Sequence, residues 1–403
     1  YSGIMLYTTA LVLEFITGID VVTAIMIVAV VAVTYTMLGG IAAVIWTDVI
    51  QTAILFVGAF IILYLLVEQL PDGFLGTLET LKAAGKTNPF NMSLDPSKVA
   101  TIWTGIVAMS IYHVVVYGVN QMMVQRTLTA KTLGDAKKSY ILMGYVAFFV
   151  FMLFFGMGIL FYSYYGGKTF ENENLIVLDF VATIGFPGLM GIVTAAIVAA
   201  AMSSLDSSLN SMATVTTLDF YEKFFRKDGS PQHYLAASRW FTIFWAVIMV
   251  VPAIIFTKSG GSVLEVLSKV GSFFVGAKLA MFGLGFFSKH TTERGLIVGV
   301  VAGFLSLWYV EVNLDVAWPW YCALGGIVST VVGWVASLMF DGRQESWHSY
   351  TVKGQLRDHE ASGLPDKENG WYVVSGKVDK ASYALLVFFL MCVAGLWVAQ
   401  SLI

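Results

Sequence analysis

The chain is dominated by a series of apolar stretches, each about as long as a helix needs to cross a bilayer, which is roughly 20 residues. We place these stretches at residues 1–17 (partial), 20–38, 42–68, 100–124, 139–165, 185–220, 234–256, 262–288, 293–311, 317–340 and 381–402. In lipid every backbone group must be satisfied within the segment, so repeated long apolar runs predict helices. We therefore expect an all-α polytopic membrane protein with one partial and ten full spans.

The composition agrees with a protein built for lipid. Of the 403 residues, 58% are hydrophobic and 12% are charged, whereas soluble domains carry about 25% charged residues. The net charge of −3 comes without a basic run, so we expect a lipid bilayer and no nucleic acid as partner. The two cysteines lie in separate apolar stretches and predict no disulfide framework. With no charged leader and no initiating Met, we expect the chain to lack its N-terminal part.

Lysines and arginines in the connections predict the orientation of the spans. One alternating set of connections carries sixteen of the 23 and the other carries five, while Lys269 and Lys278 fall inside a span. Since the cytoplasmic side is enriched in these residues, we expect loops 70–99 and 166–184 outside the cell. Loop 341–380 is then cytoplasmic, and its mixed charges predict a flexible connection.

A polar cluster interrupts the apolar segment that ends near Tyr221. On a helix, Ala200, Ser203 and Ser207 share one stripe, and Asp206 lies beside it. A single serine in a membrane helix usually bonds back to its own helix or to a neighbouring one. The whole cluster with a carboxylate instead predicts a cation path, because intramembrane carboxylates usually face functional cavities.

Other polar residues lie inside predicted spans. Asp48 lies about 9 Å into its helix from the cytoplasmic end. Its carboxylate either reaches the cytoplasmic interface or lies at the depth of Ser207, the cytoplasmic end of the serine stripe. Lys278 needs a partner, for which Asp206, an anionic solute and the cytoplasmic interface are the alternatives. Lys269 is expected near the outer boundary.

The span 100–124 carries a second polar set. His113, Tyr117 and either Asn120 or Gln121 share a face, and Gly118 predicts a local break. Broken helices expose backbone groups to substrate in many transporters. The alternative is a set of polar contacts between helices with an interfacial aromatic belt. No zinc pattern, phosphate loop or nucleophile elbow is present, so the sequence predicts transport rather than an enzyme.

Three motifs together are specific enough to indicate a family. They are Thr34-Tyr-Thr-Met-Leu-Gly-Gly-Ile-Ala-Ala-Val-Ile-Trp-Thr-Asp-Val-Ile-Gln51, Asn120-Gln-Met-Met-Val-Gln-Arg-Thr-Leu128 and Met202-Ser-Ser-Leu-Asp-Ser-Ser-Leu-Asn-Ser211. In this order and spacing the chain resembles the sodium/solute symporter family over nearly its whole length. The resemblance implies a LeuT-like inverted-repeat helix bundle whose first two core helices are missing here. Residues 1–288 would be a partial transport core, from late in the third core helix to the tenth, and 289–403 would be peripheral spans.

The resemblance also implies sodium ligands. The main site would use the carbonyl of Ala200 and the hydroxyls of Ser203 and Ser204. A second site, present in some members, would use Asp48, Ser203, Ser207 and position 206. Many members have a hydroxyl residue at that last position, where this chain has Asp206. Asp206 would therefore strengthen a second cation, bind a proton or pair with Lys278.

The solute side departs from the sugar carriers of the family. Their pocket lysine corresponds to Ala147, their asparagine to His113, their gate tyrosine to Val116 and a glutamine to Ser268. This argues against a glucose-like solute, and His113 and the lysines would suit a carboxylate. We expect an organic anion or a sugar-like solute, with these candidate contacts: His113, Tyr117, Asn120, Gln121, Ser268 and Lys278.

These features together predict a sodium-coupled symporter that imports a small organic solute by alternating access. We expect it in the cell membrane, in a bacterial inner membrane or a plasma membrane, with a monomer as the transport unit. One alternative is a proton-coupled carrier on the same fold, with Asp48 or Asp206 as the proton site. Another is a membrane sensor that binds solute without net transport.

Overall fold

The computed structural model describes residues 2–88, 90–184, 187–258, 262–342 and 346–402. Its fourteen α-helices in this part of the chain are α1 Ser2–Thr17, α2 Val21–Glu68, α3 Gly73–Ala83, α4 Met109–Gly118, α5 Gln121–Thr127, α6 Leu133–Tyr164, α7 Ile176–Ile184, α8 Leu189–Val215, α9 Pro231–Phe256, α10 Val263–Phe287, α11 Glu293–Asn313, α12 Pro319–Asp341, α13 Val352–Ser362 and α14 Lys380–Leu402. Two π-helical segments, Thr104–Ala108 and Thr216–Phe225, precede α4 and follow α8. The all-α expectation is confirmed, apart from a short two-stranded hairpin.

The α2 segment is two helices joined by a sharp reversal. Its 48 residues would measure about 72 Å as a straight helix, more than twice the ~30 Å hydrocarbon thickness. Gly40 has φ of 57° and ψ of −156°, a region that residues with a Cβ rarely enter. The Gln51 side chain reaches the Tyr35 hydroxyl, although a straight helix would hold these residues about 24 Å apart. The two predicted spans, 20–38 and 42–68, therefore both form.

The predicted number of spans agrees with the structure. Among the described residues, eight helices are long and apolar enough to cross a bilayer, and a bent pair supplies a ninth span. Counting the two arms of α2 separately gives ten, besides the shorter apolar α1. The chain is a multi-pass membrane protein. The first residue of the first predicted span, the first two of the span 185–220 and residues 343–345 of the predicted cytoplasmic loop lie outside the described residues.

The chain divides into two compact units. Unit 1 comprises Tyr1–Thr77 and Phe154–Leu267, and unit 2 comprises Leu78–Leu153 and Ser268–Ile403. Packing does not test the predicted division into a transport core over 1–288 and peripheral spans over 289–403, which stays a prediction.

In unit 1, α8 packs against α1, α2 and α9. The buried side chains at this junction include Leu6, Ala29, Leu205, Leu209, Ala246 and Met249. Because lipid is as apolar as these side chains, close packing rather than removal from water holds the helices together. The polar stripe of α8 is therefore carried on a helix that three neighbours fix in place.

In unit 2, α11 and α12 approach each other through small residues. A Cβ at Gly299 would lie 2.4 Å from the carbonyl oxygen of Ser329 and 2.6 Å from the Cα of Gly333. Any side chain at Gly299 would push the two backbones apart. This is the small-residue packing that replaces hydrophobic association in membranes.

The predicted cytoplasmic loop 341–380 is more ordered than expected, so the prediction of a flexible connection is wrong in its described part. Thr351 caps α13, and strands β1 (Lys367–Glu368) and β2 (Trp371–Tyr372) form a hairpin. Asn369 and Gly370 both have positive φ, as a two-residue hairpin turn requires. The Asn-Gly pair was the sequence signal for this hairpin, which the charged composition obscured.

The hairpin docks on the start of α6 within unit 2. Lys137 Nζ lies 2.6 Å from Asp379 Oδ2 and donates to the Tyr372 carbonyl at 2.6 Å. Asp379 is buried and also accepts from the Tyr372 amide at 3.0 Å. Trp371 covers Gly134, where a Cβ would come within 2.8 Å of its ring. The connection is thus fastened by an ion pair and an aromatic contact.

Candidate ion and solute sites

The serine stripe of α8 brings together two oxygens of the expected main sodium site. The Ser203 hydroxyl donates to the Ala200 carbonyl at 2.9 Å, and both residues are half-buried. Ser204 follows on the next position and is also half-buried. A hydroxyl that donates one proton keeps lone pairs for a cation, so this contact leaves Ser203 able to serve as a ligand.

The serines one turn further along α8, Ser207 and Ser208, bond back to their own helix. The Ser207 hydroxyl donates to the Ser203 carbonyl and the Ser208 hydroxyl to the Ser204 carbonyl, each at 2.7 Å. This is the ordinary behaviour of serines in membrane helices. Bonding back to the helix therefore accounts for the orientation of these two hydroxyls.

Asp206 is the most buried polar residue of the stripe. Its side chain is fully inaccessible to solvent, and its Oδ2 accepts a 3.0 Å hydrogen bond from the Tyr35 hydroxyl. Its Oδ1 lies 2.7 Å from the amide nitrogen of Ser207. A buried carboxylate needs such donors, because an ion without compensation is costly in a low-dielectric interior.

A second carboxylate lies close enough to act electrostatically on the same hydroxyl. Asp48 acts electrostatically on the Tyr35 hydroxyl, and the Gln51 side-chain amide contacts that hydroxyl. The reversal at Gly40 makes this possible, because it brings the second arm of α2 back beside the first. Two carboxylates near one hydroxyl repel each other if both are charged. A cation or a proton between them would remove that repulsion.

Polar atoms without a hydrogen-bond partner among the described residues lie on the same two helices, α2 and α8. Thr36 Oγ1, Gln51 Oε1 and Asn210 Nδ2 are buried and make no hydrogen bond with any described residue. Buried polar atoms are rarely left without a partner, and two of these three are oxygens. Hard oxygen donors beside carboxylates suit a small cation such as sodium. The residues present therefore fit the ion that the sequence predicts.

The predicted break in the span 100–124 is confirmed. The helical segment Thr104–Gly118 and α5 meet at an angle of 51°. Asn120 caps α5 by accepting from the amide of Met122 at 3.4 Å, and Gln121 is the first residue of that helix. His113 and Tyr117 stack with their ring centroids 5.6 Å apart and their planes 10° apart. This pair forms a half-buried polar surface one turn before the break.

The two remaining solute candidates lie on α10. Ser268 and Lys278 are half-buried and ten residues apart, which is about 15 Å along a helix. One small solute contacts both only if the lysine extends back along the helix, the direction in which helical side chains tilt. Lys269, predicted near the outer boundary, forms an ion pair with Glu311 at 2.5 Å.

Several residues of these clusters were missed from the sequence. Tyr35, Thr36 and Gln51 lie inside the first family motif, and Asn210 lies in the third. Their signal was the presence of polar side chains in apolar spans, but only the reversal at Gly40 shows that Tyr35 and Gln51 meet.

Comparison with known proteins places these features in a family. The sequence matches the sodium:solute symporter family over residues 3–303. It is 32% identical to sodium-coupled monocarboxylate transporter 1 of Homo sapiens over 76% of this chain and 52% of the relative. It is 31% identical to the sodium/glucose cotransporter of Vibrio parahaemolyticus over 74% of this chain and 58% of the relative. The chain thus spans about half the length of these relatives.

The fold has a solved counterpart. The structure of a Na+-coupled sialic acid symporter in a substrate-bound, outward-open state superposes with a TM-score of 0.75. The match covers 86% of this chain and 72% of that protein at 24% identity, and it confirms the expected LeuT-like fold. From the match over residues 3–303, together with this fold, the chain belongs to the sodium:solute symporter family.

Proposed function

We propose that the protein is a sodium-coupled symporter that carries a small organic solute into the cell. The observation that supports this most is the α8 polar stripe, where Ala200, Ser203 and the buried Asp206 concentrate oxygen atoms on a helix packed among apolar neighbours. Relatives named for monocarboxylate and glucose transport with sodium support the same reaction class. The protein would act in a cell membrane, with a monomer as the transport unit.

In this proposal the sodium ligands are those that the sequence implies. The Ala200 carbonyl with the Ser203 and Ser204 hydroxyls would hold the main ion. Asp48, Asp206 and Ser207 would hold a second one, with Tyr35 orienting Asp206. Sodium would favour the outward-open, solute-ready state because it binds that state more tightly than the inward-open state.

The solute would bind near the broken span, where the stacked His113 and Tyr117 present polar edges. Asn120 and Gln121 lie at the break, and Ser268 or Lys278 would contribute from α10. A half-buried lysine and a histidine favour a carboxylate-bearing solute over a neutral sugar. An organic anion is therefore the solute class that we propose first, with a sugar-like solute second.

Uptake by the full-length protein in proteoliposomes tests the proposal. The panel of labelled solutes contains N-acetylneuraminate, lactate, glucose and proline, each with an inward sodium gradient or with a potassium control. We expect accumulation of one solute above its equilibrium level only with the sodium gradient. Accumulation that is equal in both buffers would contradict sodium coupling.

A proton-coupled carrier is the second candidate, because Asp48 and Asp206 both act on the Tyr35 hydroxyl. A shared proton would relieve their repulsion as a sodium ion would. Uptake in sodium-free buffer that a protonophore abolishes would favour this candidate over the first.

A further inference from the structure

The broken span leaves backbone groups that its own helix cannot satisfy. In a continuous helix the carbonyl of Tyr117 would accept from the amide of Gln121. Here Gly118 ends α4 and Gln121 begins α5 at an angle of 51°. An unsatisfied carbonyl in an apolar environment is costly, so a break of this kind needs a donor from elsewhere.

Tyr140, on α6, supplies that donor. Its hydroxyl donates to the Tyr117 carbonyl at 2.9 Å. The same hydroxyl oxygen accepts from the Thr127 hydroxyl at 3.0 Å, a proton that Thr127 shares with the Met123 carbonyl at 2.8 Å. One side chain thus joins the last turn of the first half-helix to the last turn of the second.

The bridge lies between two features already described. Tyr117, whose carbonyl it holds, stacks on His113 in the proposed solute surface. Tyr140 itself follows Lys137 by one turn, and the ion pair with Asp379 fixes that part of α6. The angle between the half-helices is therefore connected to a helix that is anchored independently.

We propose that Tyr140 is a positioning residue that sets the angle of the broken span through its bridge between Tyr117 and Thr127. It touches no solute and acts through the orientation of Tyr117. Its effect on transport rests on the proposed function, whereas its effect on the break does not. The hydroxyl satisfies the freed carbonyl in the bent geometry and gives α5 a fixed point relative to α4.

Tyr140→Phe in the full-length protein removes the bridge and keeps the ring. Hydrogen–deuterium exchange of the purified protein should become about five-fold faster in peptides covering residues 117–128, since one hydrogen bond no longer resists opening. Peptides from α8 should exchange at the wild-type rate. Tyr145→Phe is the matched control, because Tyr145 lies on the same helix and packs its ring on Phe388.

Thr127→Val removes the other end of the bridge and guards against a folding defect in the first variant. It should accelerate hydrogen–deuterium exchange in the same peptides. The double variant should show less than the sum of the two effects, because both substitutions act on one hydrogen-bond network. Equal exchange in Tyr140→Phe and Tyr145→Phe would overturn the proposal. So would acceleration spread evenly over all peptides in both bridge variants.

Transport adds a readout that a purely structural residue would not move. With whichever panel solute the wild type accumulates, Tyr140→Phe should raise the solute half-saturation about five-fold at saturating sodium. Sodium half-saturation at saturating solute should stay within about two-fold. A fall in maximal rate alone, with both half-saturations unchanged, would contradict the positioning role. If no solute accumulates with sodium, the proposed function fails while the exchange experiment still decides the role of Tyr140.

Discussion

At the scale of single residues, the proposed sodium site depends on oxygens that already have protein partners. The Ser203 hydroxyl bonds the Ala200 carbonyl, and Asp206 accepts from Tyr35. A site of this kind is preorganised, because the ligands are held in place before an ion arrives. Each ligand then has two functions, so its substitution affects both the hydrogen bonds of the helix and the binding of the ion.

Ser203→Ala should weaken sodium activation of transport. Loss of one hydroxyl ligand should raise the sodium half-saturation about ten-fold, equivalent to about 1.4 kcal/mol. The solute half-saturation at saturating sodium should change less. Sodium-dependent uptake measures both, with Thr194→Val as the control, because Thr194 lies on the same helix and bonds only the Met190 carbonyl among the described contacts. An unchanged sodium half-saturation would remove Ser203 from the site.

Asp206→Asn should alter the number of coupled ions or the pH dependence of transport. It removes one of the two carboxylates that act on Tyr35, so a cation or proton bound between them loses its main attraction. Reversal potentials measured at several pH values report both changes. Asp219→Asn serves as the control, since Asp219 is exposed and pairs with Lys223. Reversal potentials that match those of the wild type at every pH would refute a coupling role.

At the scale of the elements, the reversal in α2 makes the carboxylate cluster possible. Gly40→Ala should destabilise the protein by about 1–3 kcal/mol, because alanine is strained at the positive φ that the turn needs. Thermal unfolding in detergent would show it as a lower midpoint. Gly156→Ala is the matched control, since Gly156 lies in α6 with open space around its Cβ position. Equal midpoints for the two variants would mean that the turn is not strained by a side chain.

The hairpin of loop 341–380 should detach from α6 in acid. The ammonium group of Lys137 and the Tyr372 amide lower the pKa of Asp379 below its usual value near 4. The docked state is therefore stabilised above about pH 4, and the stabilisation is lost as pH falls through the lowered pKa of Asp379. Limited proteolysis of residues 363–376 should accelerate below about pH 4 in the wild type.

Asp379→Asn should show the same fast cleavage already at neutral pH, because it removes the charge that pairs with Lys137. Asp358→Asn is the control, since Asp358 is exposed and pairs with its neighbour Arg357 rather than with Lys137. If cleavage of Asp379→Asn at neutral pH equals that of the wild type, the ion pair does not hold the hairpin.

At the scale of the whole molecule, the sequence was sufficient to predict the membrane-spanning helices. Spanning length and apolar composition located every span to within a few residues, apart from spans 100–124, 139–165 and 185–220, because these patterns are local. They also predicted the break near Gly118, where a glycine precedes an Asn cap. What they could not predict was contact between distant segments, such as Tyr35 with Asp206 or Tyr140 with Tyr117, since many pairings of polar residues satisfy the same pattern.

The cytoplasmic hairpin was missed for a different reason, because its local signal was present in the sequence. Its Asn369-Gly370 turn was a local signal, but the charged residues around it were interpreted as a solvated linker. Burial of Asp379 and the cover of Gly134 by Trp371 come from tertiary contacts that composition does not report. For this chain, local patterns predicted the membrane spans, and packing determined which of the polar residues lie together.

All the residues implied in sodium binding belong to unit 1, and all those implied in solute binding belong to unit 2. Because the two sets of residues are separate, sodium binding can be measured without knowing the solute. The most direct test is equilibrium binding of radioactive sodium to the purified full-length protein in the absence of solute. Saturable binding that Ser203→Ala weakens about ten-fold and Thr194→Val leaves unchanged would support the account. Absence of saturable binding in the wild type, or equal binding in both variants, would contradict it.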